Sequence, residues 1–135
     1  MNKKICKKCN NEILKNQPIF YFPNMPKWHE LSDLSKQDFH INCIKDIDSE
    51  RNVGEILANI MEDISKKTKI RPFLGRSGNI VVQAILDEKS IEIFDFEDFV
   101  DFDIPIINLE KIVQLKPTET IANRMTSLHV LEDQN

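Results

Sequence analysis

The stretches "CKKC" at residues 6–9 and "FHINC" at residues 39–43 decide the fold of the N-terminal part of the chain. Together they place Cys6, Cys9, His40 and Cys43 in the pattern C-x2-C-x30-H-x2-C, which uses all 3 cysteines of the sequence. A Cys3His set is a typical closed tetrahedral site for structural zinc. The spacing therefore predicts one structural Zn²⁺ ion held by these four residues.

Local structure explains why each half of the pattern can supply two ligands to one ion. A C-x2-C turn lets two thiolates converge on one ion while backbone amides face the sulfurs. An H-x2-C pair at the start of a helix places its side chains on one face of that helix. The positive end of the helix dipole also favours the thiolate form of cysteine. The two halves predict a small treble-clef-like zinc module at the N-terminus.

Other roles for the cysteines fit the sequence less well. A disulfide is disfavoured by the odd cysteine and by the lack of an export signal. A redox C-x2-C would be expected in a βαβ context, which "ICKKCNN" lacks. His29 of "KWHE" is an alternative fourth ligand, but only His40 is expected to share a helical turn with Cys43.

The composition is that of a globular protein. Of the 135 residues, 41% are hydrophobic and 30% are charged. No apolar run approaches the roughly 18–20 residues of a membrane span. The N-terminal lysines are not followed by the apolar region of a signal peptide. We therefore expect an intracellular, cytoplasmic location, where thiols stay reduced.

The fold class expected beyond the zinc module is α+β, with one main helix followed by a small antiparallel sheet. Residues 1–50 are assigned to the zinc-binding module and residues 51–135 to the α+β body. A helix is predicted at about 52–68 from an apolar stripe of helical period, with Asn52 and Glu55 resembling a capping box. The stripe consists of Val53, Ile56, Leu57, Ile60, Met61 and Ile64.

The region 79–115 is predicted to be rich in β-strands, with a short helix after it. A hairpin is predicted from "NIVVQAIL" (79–86) and "SIEIFDF" (90–96), and a tight turn is predicted from "LGRSGNI" (74–80). Further strands are predicted in "FVDFDIPII" (99–107), with Pro105 confining it to an edge or bulge, and in "KIVQL" (111–115). In 93–103, phenylalanines are expected to face inward and carboxylates to face water.

The first 43 residues resemble the poly(ADP-ribose) polymerase-type zinc finger. The four predicted ligands fall on its metal positions, and Lys7, Ile13, Lys15 and Phe39 also follow its pattern. The sequence departs from the family at Asp38, where tryptophan is expected, and at Ile19, where arginine or glycine is expected.

This resemblance implies binding to DNA ends or nicks. The candidate contacts are the basic side chains Lys3, Lys4, Lys7, Lys8 and Lys15, with Trp28, Phe20 and Tyr21 as stacking surfaces. The alternative is that the lysines form a solvated face and that the aromatic residues form the small core of the finger.

Charge and chemistry lead to three functional hypotheses. Residues 1–76 hold 14 Lys/Arg and 10 Asp/Glu, whereas residues 77–135 hold 4 and 12. With a closed zinc site and no nucleophile–base pair, the chain is expected not to be an enzyme. The preferred function is a zinc-binding adaptor with a protein partner. The first alternative is a nucleic-acid-binding finger, and the second is an inhibitor or immunity-type protein whose acidic β-surface carries Asp98 and Asp101.

Overall fold

The computed structural model describes residues 3–105, which form two α-helices and two antiparallel sheets. The α+β fold class is therefore confirmed. The chain divides into two compact units, Met1–Val53 and Gly54–Asn135, and the sequence-based boundary at residue 50 falls shortly before this division. The strand predicted at 111–115 and the short C-terminal helix lie outside the described residues.

The N-terminal unit begins with a small hairpin, in which Ile5 forms an antiparallel bridge with Glu12. Strand β1 (Ile19–Tyr21) then pairs antiparallel with β2 (Asp38–His40). Helix α1 (Ile41–Arg51) follows β2 without an intervening loop. A knuckle, a β-hairpin and a helix in this order make the treble-clef-like arrangement that the sequence predicts.

Aromatic packing forms the centre of this unit. Phe22 and Phe39 are fully buried, and their rings meet edge to face with centroids 6.3 Å apart. The other buried apolar side chains of the unit are Cys6, Ile13, Met25, Leu31, Leu34, Ile44 and Val53. Since domains of about 60 residues or fewer are only marginally stable from apolar burial alone, additional stabilisation is expected here.

Arg51 ties the end of α1 to the loop before β2. Its guanidinium donates hydrogen bonds to both carboxylate oxygens of Asp33, at 2.9 and 3.0 Å, and to the carbonyl of Glu30 at 2.7 Å. The same contact holds the pKa of Asp33 below its usual range. This fork-like pairing is geometrically specific and fixes the loop against the helix.

Asn52 separates the two helices. Its backbone is left-handed (φ 54°, ψ 40°), and its N–H donates to the carbonyl of Asp48 at 2.9 Å, which ends α1. Helix α2 (Val53–Lys67) begins at the next residue, so the predicted helix is confirmed. The predicted capping-box role of Asn52 is wrong, because an N-cap residue has extended rather than left-handed backbone.

The second unit contains a four-stranded antiparallel sheet in the order β3-β4-β5-β6. The strands are β3 (Phe73–Ser77), β4 (Ile80–Ile85), β5 (Ser90–Asp95) and β6 (Val100–Pro105). The β4–β5 hairpin is confirmed. Within the described residues, β6 is an outer strand and ends at Pro105, as expected for a residue that cannot donate to a strand ladder. Strand β3 was not foreseen.

The predicted tight turn joins β3 to β4 through Gly78 and Asn79. Gly78 has φ +57°, a conformation that glycine adopts without steric cost. A Cβ at this position would lie 2.7 Å from Oε1 of the exposed Glu97, a flexible side chain that can move away, so the positive φ is what favours glycine here.

A cluster of buried side chains lies on one face of the sheet, while Val81 and Ile85 are buried on its other face. Phe102 packs against this cluster, which six buried side chains form. The six are Leu74, Val82, Ala84, Ile91, Ile93 and Ile104. The register pairs Ile93 with Phe102 and Phe94 with Asp101. Phe96 and Phe99 are buried, as expected for phenylalanines that face inward. Isoleucines of β5 face this cluster, so Phe94 lies on the other face, where it is half-buried and pairs with the fully buried Val81.

Glu92 is a largely buried carboxylate on β5. Its side chain is 13% exposed, and its Oε1 accepts hydrogen bonds from Gln83 Nε2 at 2.9 Å and from Arg71 at 3.3 Å. Burial raises its pKa, and the nearby carboxylates of Asp103 and Asp101 add to the rise, while Gln83 and Arg71 oppose it.

This arrangement predicts a pH-dependent contribution to stability. Because the folded pKa of Glu92 is raised, the native state binds more protons than the unfolded state above the ordinary glutamate pKa of about 4.3. Stability should therefore fall as pH rises through this window. The variant Glu92→Gln should lack the fall and be more stable than the wild type at pH 7. Urea unfolding from pH 4 to pH 7 measures the difference.

The matched control is Glu88→Gln, which changes an exposed glutamate. This control removes one negative charge from the surface without changing a buried carboxylate. If Glu92→Gln and Glu88→Gln gave parallel curves, burial of Glu92 would not be perturbing its ionisation.

Candidate metal centre

The four residues of the sequence pattern lie together. One donor atom from each of Cys6, Cys9, His40 and Cys43 lies within 4.8 Å of all the others. His40 Nδ1 is 3.4 Å from Cys9 Sγ and 3.9 Å from Cys43 Sγ. A tetrahedral ion with metal–sulfur bonds of about 2.3 Å and a metal–nitrogen bond of about 2.0 Å gives sulfur–nitrogen separations of about 3.5 Å. The donor set therefore fits one metal ion.

A tight hairpin turn presents the first two sulfurs. Cys6 N–H donates to the carbonyl of Asn11, and Asn10 N–H donates to the carbonyl of Cys6, both at 2.9 Å. Asn10 takes a left-handed conformation (φ 63°), which asparagine tolerates better than most residues. The backbone N–H of Lys7 donates to the carbonyl of Asp38 at 2.9 Å, which ties this turn to β2.

The other two donors come from the junction of β2 and α1. His40 is the N-cap residue of α1, with extended backbone (φ −62°, ψ 148°), and Cys43 lies in the first turn of the helix. The backbone N–H of His40 points to Cys6 Sγ at 3.4 Å. The start of α1 thus supplies two of the four donors, and its helix dipole stabilises a negatively charged sulfur.

The sulfurs differ in their tendency to ionise. Burial raises the pKa of Cys6, but the backbone N–H groups around its sulfur outweigh this and lower its pKa to about 6. For Cys43, burial and the neighbouring Cys6 and Cys9 sulfurs raise the pKa to about 12. Three thiolates at this spacing repel each other unless a cation lies between them. A divalent metal ion supplies the charge that allows all three to ionise.

His29 does not belong to the cluster. Its Nδ1 accepts the backbone N–H of Leu31 at 3.0 Å, and its ring lies 5.9 Å from the ring of Trp28. Among residues 3–105, the Cys3His group is the one set of three or more metal-ligating side chains close enough to share an ion.

The lysines named as nucleic-acid contacts do not form one cluster. Lys3, Lys4 and Lys15 line a surface groove of about 550 Å³, whose other lining residues are Glu12, Ile13, Leu14 and Ile19. Lys8 instead pairs with Asp46 at 3.1 Å, and this hydrogen bond raises the pKa of Lys8. The side chains of Lys7 and Trp28 are exposed outside the groove lining.

No family model, curated protein or solved structure matches this chain. The resemblance to the poly(ADP-ribose) polymerase-type finger therefore rests on the residues quoted above. What the structure adds is a Cys3His group consistent with a zinc finger.

In the part of the chain that the structure describes, no helix is both long and apolar enough to cross a bilayer.

One residue of the site was not foreseen. His40 Nε2, on the far side of the ring from the sulfurs, lies 3.2 Å from Gln17 Oε1. The sequence carries no signal for this contact, because it depends on how the chain turns just before β1.

The acidic surface of the inhibitor hypothesis stays a prediction, although Asp101 and Asp103 are both exposed on β6.

The two histidines give a direct test of the ligand set. His40→Ala removes one of four donors and should weaken retention of the metal by more than about tenfold. His29→Ala should leave retention within about twofold of the wild type, because His29 lies outside the cluster. Competition with a chromogenic chelator measures both. Equal losses in the two variants would show that the ligand assignment is wrong.

Proposed function

We propose that Cys6, Cys9, His40 and Cys43 hold one structural zinc ion, and that the protein is an intracellular adaptor without enzymatic activity. The observation that carries this proposal is the tetrahedral spacing of three sulfurs and one imidazole nitrogen. Thiolate-rich sets of this kind suit zinc and disfavour hard cations such as calcium and magnesium.

The closed donor set supports a structural rather than a catalytic role. Catalytic zinc keeps one position for water or substrate, whereas four protein donors fill a tetrahedron. The second support is the small size of the buried core in the N-terminal unit, because a metal ion adds stabilisation where apolar burial is limited.

The groove is the interaction surface that we propose for the adaptor. Its lining combines three lysines and Glu12 with the apolar side chains of Ile13, Leu14 and Ile19, and Leu14 is 51% exposed. Charge complementarity favours an acidic segment of a protein partner, with an aliphatic side chain that covers Leu14. Among residues 3–105, none of the side chains that line the groove is aromatic, which favours a peptide over stacked nucleobases.

Nucleic acid is the alternative partner, as the resemblance to the DNA-end-binding finger implies. The same three lysines could contact phosphates, and Trp28, which is 83% exposed, could stack on a base. Lys8, one of the lysines proposed to contact phosphates, already pairs with Asp46. This pairing favours the protein partner over nucleic acid.

The zinc proposal predicts the metal content and its effect on folding. Freshly purified, reduced protein should contain about one zinc per chain. Removal by a strong chelator should abolish cooperative unfolding of the N-terminal unit, because ion binding and folding are coupled. Elemental analysis, and the amide resonances of Phe22 and Phe39 followed on chelation, measure the two effects. Reduced protein without stoichiometric metal would refute the proposal.

The partner proposal predicts a charge-dependent interaction. A fluorescent peptide that alternates aspartate with leucine should bind, and the double variant Lys4→Glu/Lys15→Glu should weaken binding by more than about tenfold. Lys69→Glu changes an exposed lysine outside the N-terminal unit and should have little effect. Anisotropy titrations with this peptide and with nicked duplex DNA give both affinities.

Each outcome distinguishes the candidates. Tighter binding of nicked DNA, with a steep salt dependence and loss on Trp28→Ala, would favour the nucleic-acid alternative. Peptide binding that is unchanged by the double variant would exclude the groove as the docking surface. If neither probe bound, the groove proposal would fail while the zinc proposal stood on its own test.

A further inference from the structure

Gln17 lies at the end of a tight turn that precedes β1. Its backbone N–H donates to the carbonyl of Leu14 at 2.9 Å. Its side chain folds back over the same turn, so that the backbone N–H of Leu14 donates to Gln17 Oε1, also at 2.9 Å. The first hydrogen bond closes the turn, and the second holds the carboxamide oxygen in place although Gln17 is exposed.

The Leu14 contact fixes which end of the carboxamide faces inward. A backbone N–H can only donate, so the atom that faces it must be the oxygen and not the NH2 group. The same oxygen lies 3.2 Å from His40 Nε2. A carbonyl oxygen has two lone pairs and can accept both hydrogen bonds, which requires Nε2 of His40 to carry the proton.

This proton position decides the chemistry of the opposite nitrogen. In a neutral imidazole with the proton on Nε2, Nδ1 carries a free lone pair. Nδ1 is the atom that faces Cys9 Sγ and Cys43 Sγ, at 3.4 and 3.9 Å. The hydrogen bond to Gln17 therefore directs the lone pair of His40 to the place where the three sulfurs meet.

We propose that Gln17 is a positioning residue of the metal centre, which fixes the tautomer and the ring orientation of His40. The inference rests on the proposed zinc function. Metal-bound histidines commonly donate their second N–H to an oxygen of this kind, and loss of that partner typically weakens metal binding about 10- to 100-fold. The strand register explains the contact, since Ile19 pairs with His40 and Gln17 lies just before Ile19.

Three variants test the inference. Gln17→Leu removes the acceptor and should weaken zinc binding by about 10-fold or more. Gln17→Glu keeps an acceptor oxygen and should bind within about threefold of the wild type. The control Asn16→Leu changes the adjacent exposed amide, which takes part in neither hydrogen bond, and should behave like the wild type. Chelator competition gives the affinities.

The tautomer of His40 is an independent readout. Long-range ¹H–¹⁵N spectra at pH 8 should show the proton on Nε2 in the wild type and in Gln17→Glu, with or without zinc. In Gln17→Leu without zinc, both tautomers should appear. The same zinc affinity in Gln17→Leu as in the wild type, or a proton on Nδ1 in the wild type, would overturn the inference. Absence of stoichiometric zinc from the wild type would instead refute the proposed function.

Discussion

The structure of the N-terminal unit depends on bringing three sulfurs and one imidazole nitrogen within 4.8 Å of one another. Such a group is unfavourable by itself, because thiolates repel each other and thiols gain little from this proximity. Burial and then the neighbouring Cys6 and Cys9 sulfurs raise the pKa of Cys43, whereas backbone N–H groups lower the pKa of Cys6. A divalent cation turns the repulsion into attraction, so the geometry is best understood as a binding site rather than as a packing accident.

The surrounding contacts hold the two halves of the site in place. The knuckle is tied to β2 by the bond from Lys7 N–H to Asp38, and the His40 amide points back to Cys6. Gln17 holds the imidazole from the opposite side, and Arg51 fixes the loop that leads into β2. Each of these contacts is modest, yet together they leave the donors little freedom. A closed centre of this kind is consistent with the structural role that we propose for the metal ion.

The sequence predicted those features that depend on local spacing. The grouping of the three cysteines with His40, helix α2, the β4–β5 hairpin and the turn at Gly78 all follow from residue type and spacing. Strand β3 was missed because "FLGRS" contains a glycine and a bulge between Phe73 and Gly75, which breaks the alternation. The contact between Gln17 and His40 was missed because it arises from the register of two strands, and single-sequence spacing does not encode that register.

The two halves of the proposed metal site are also synthesised at different times during translation. His40 follows Cys6 by 34 residues, so at about 5–20 residues per second a ribosome delivers it about 2–7 s after the first cysteine. During this delay the nascent segment holds only half of a coordination sphere. If the site binds zinc as we propose, the thiols of Cys6 and Cys9 must stay reduced until the second half of the donor set emerges.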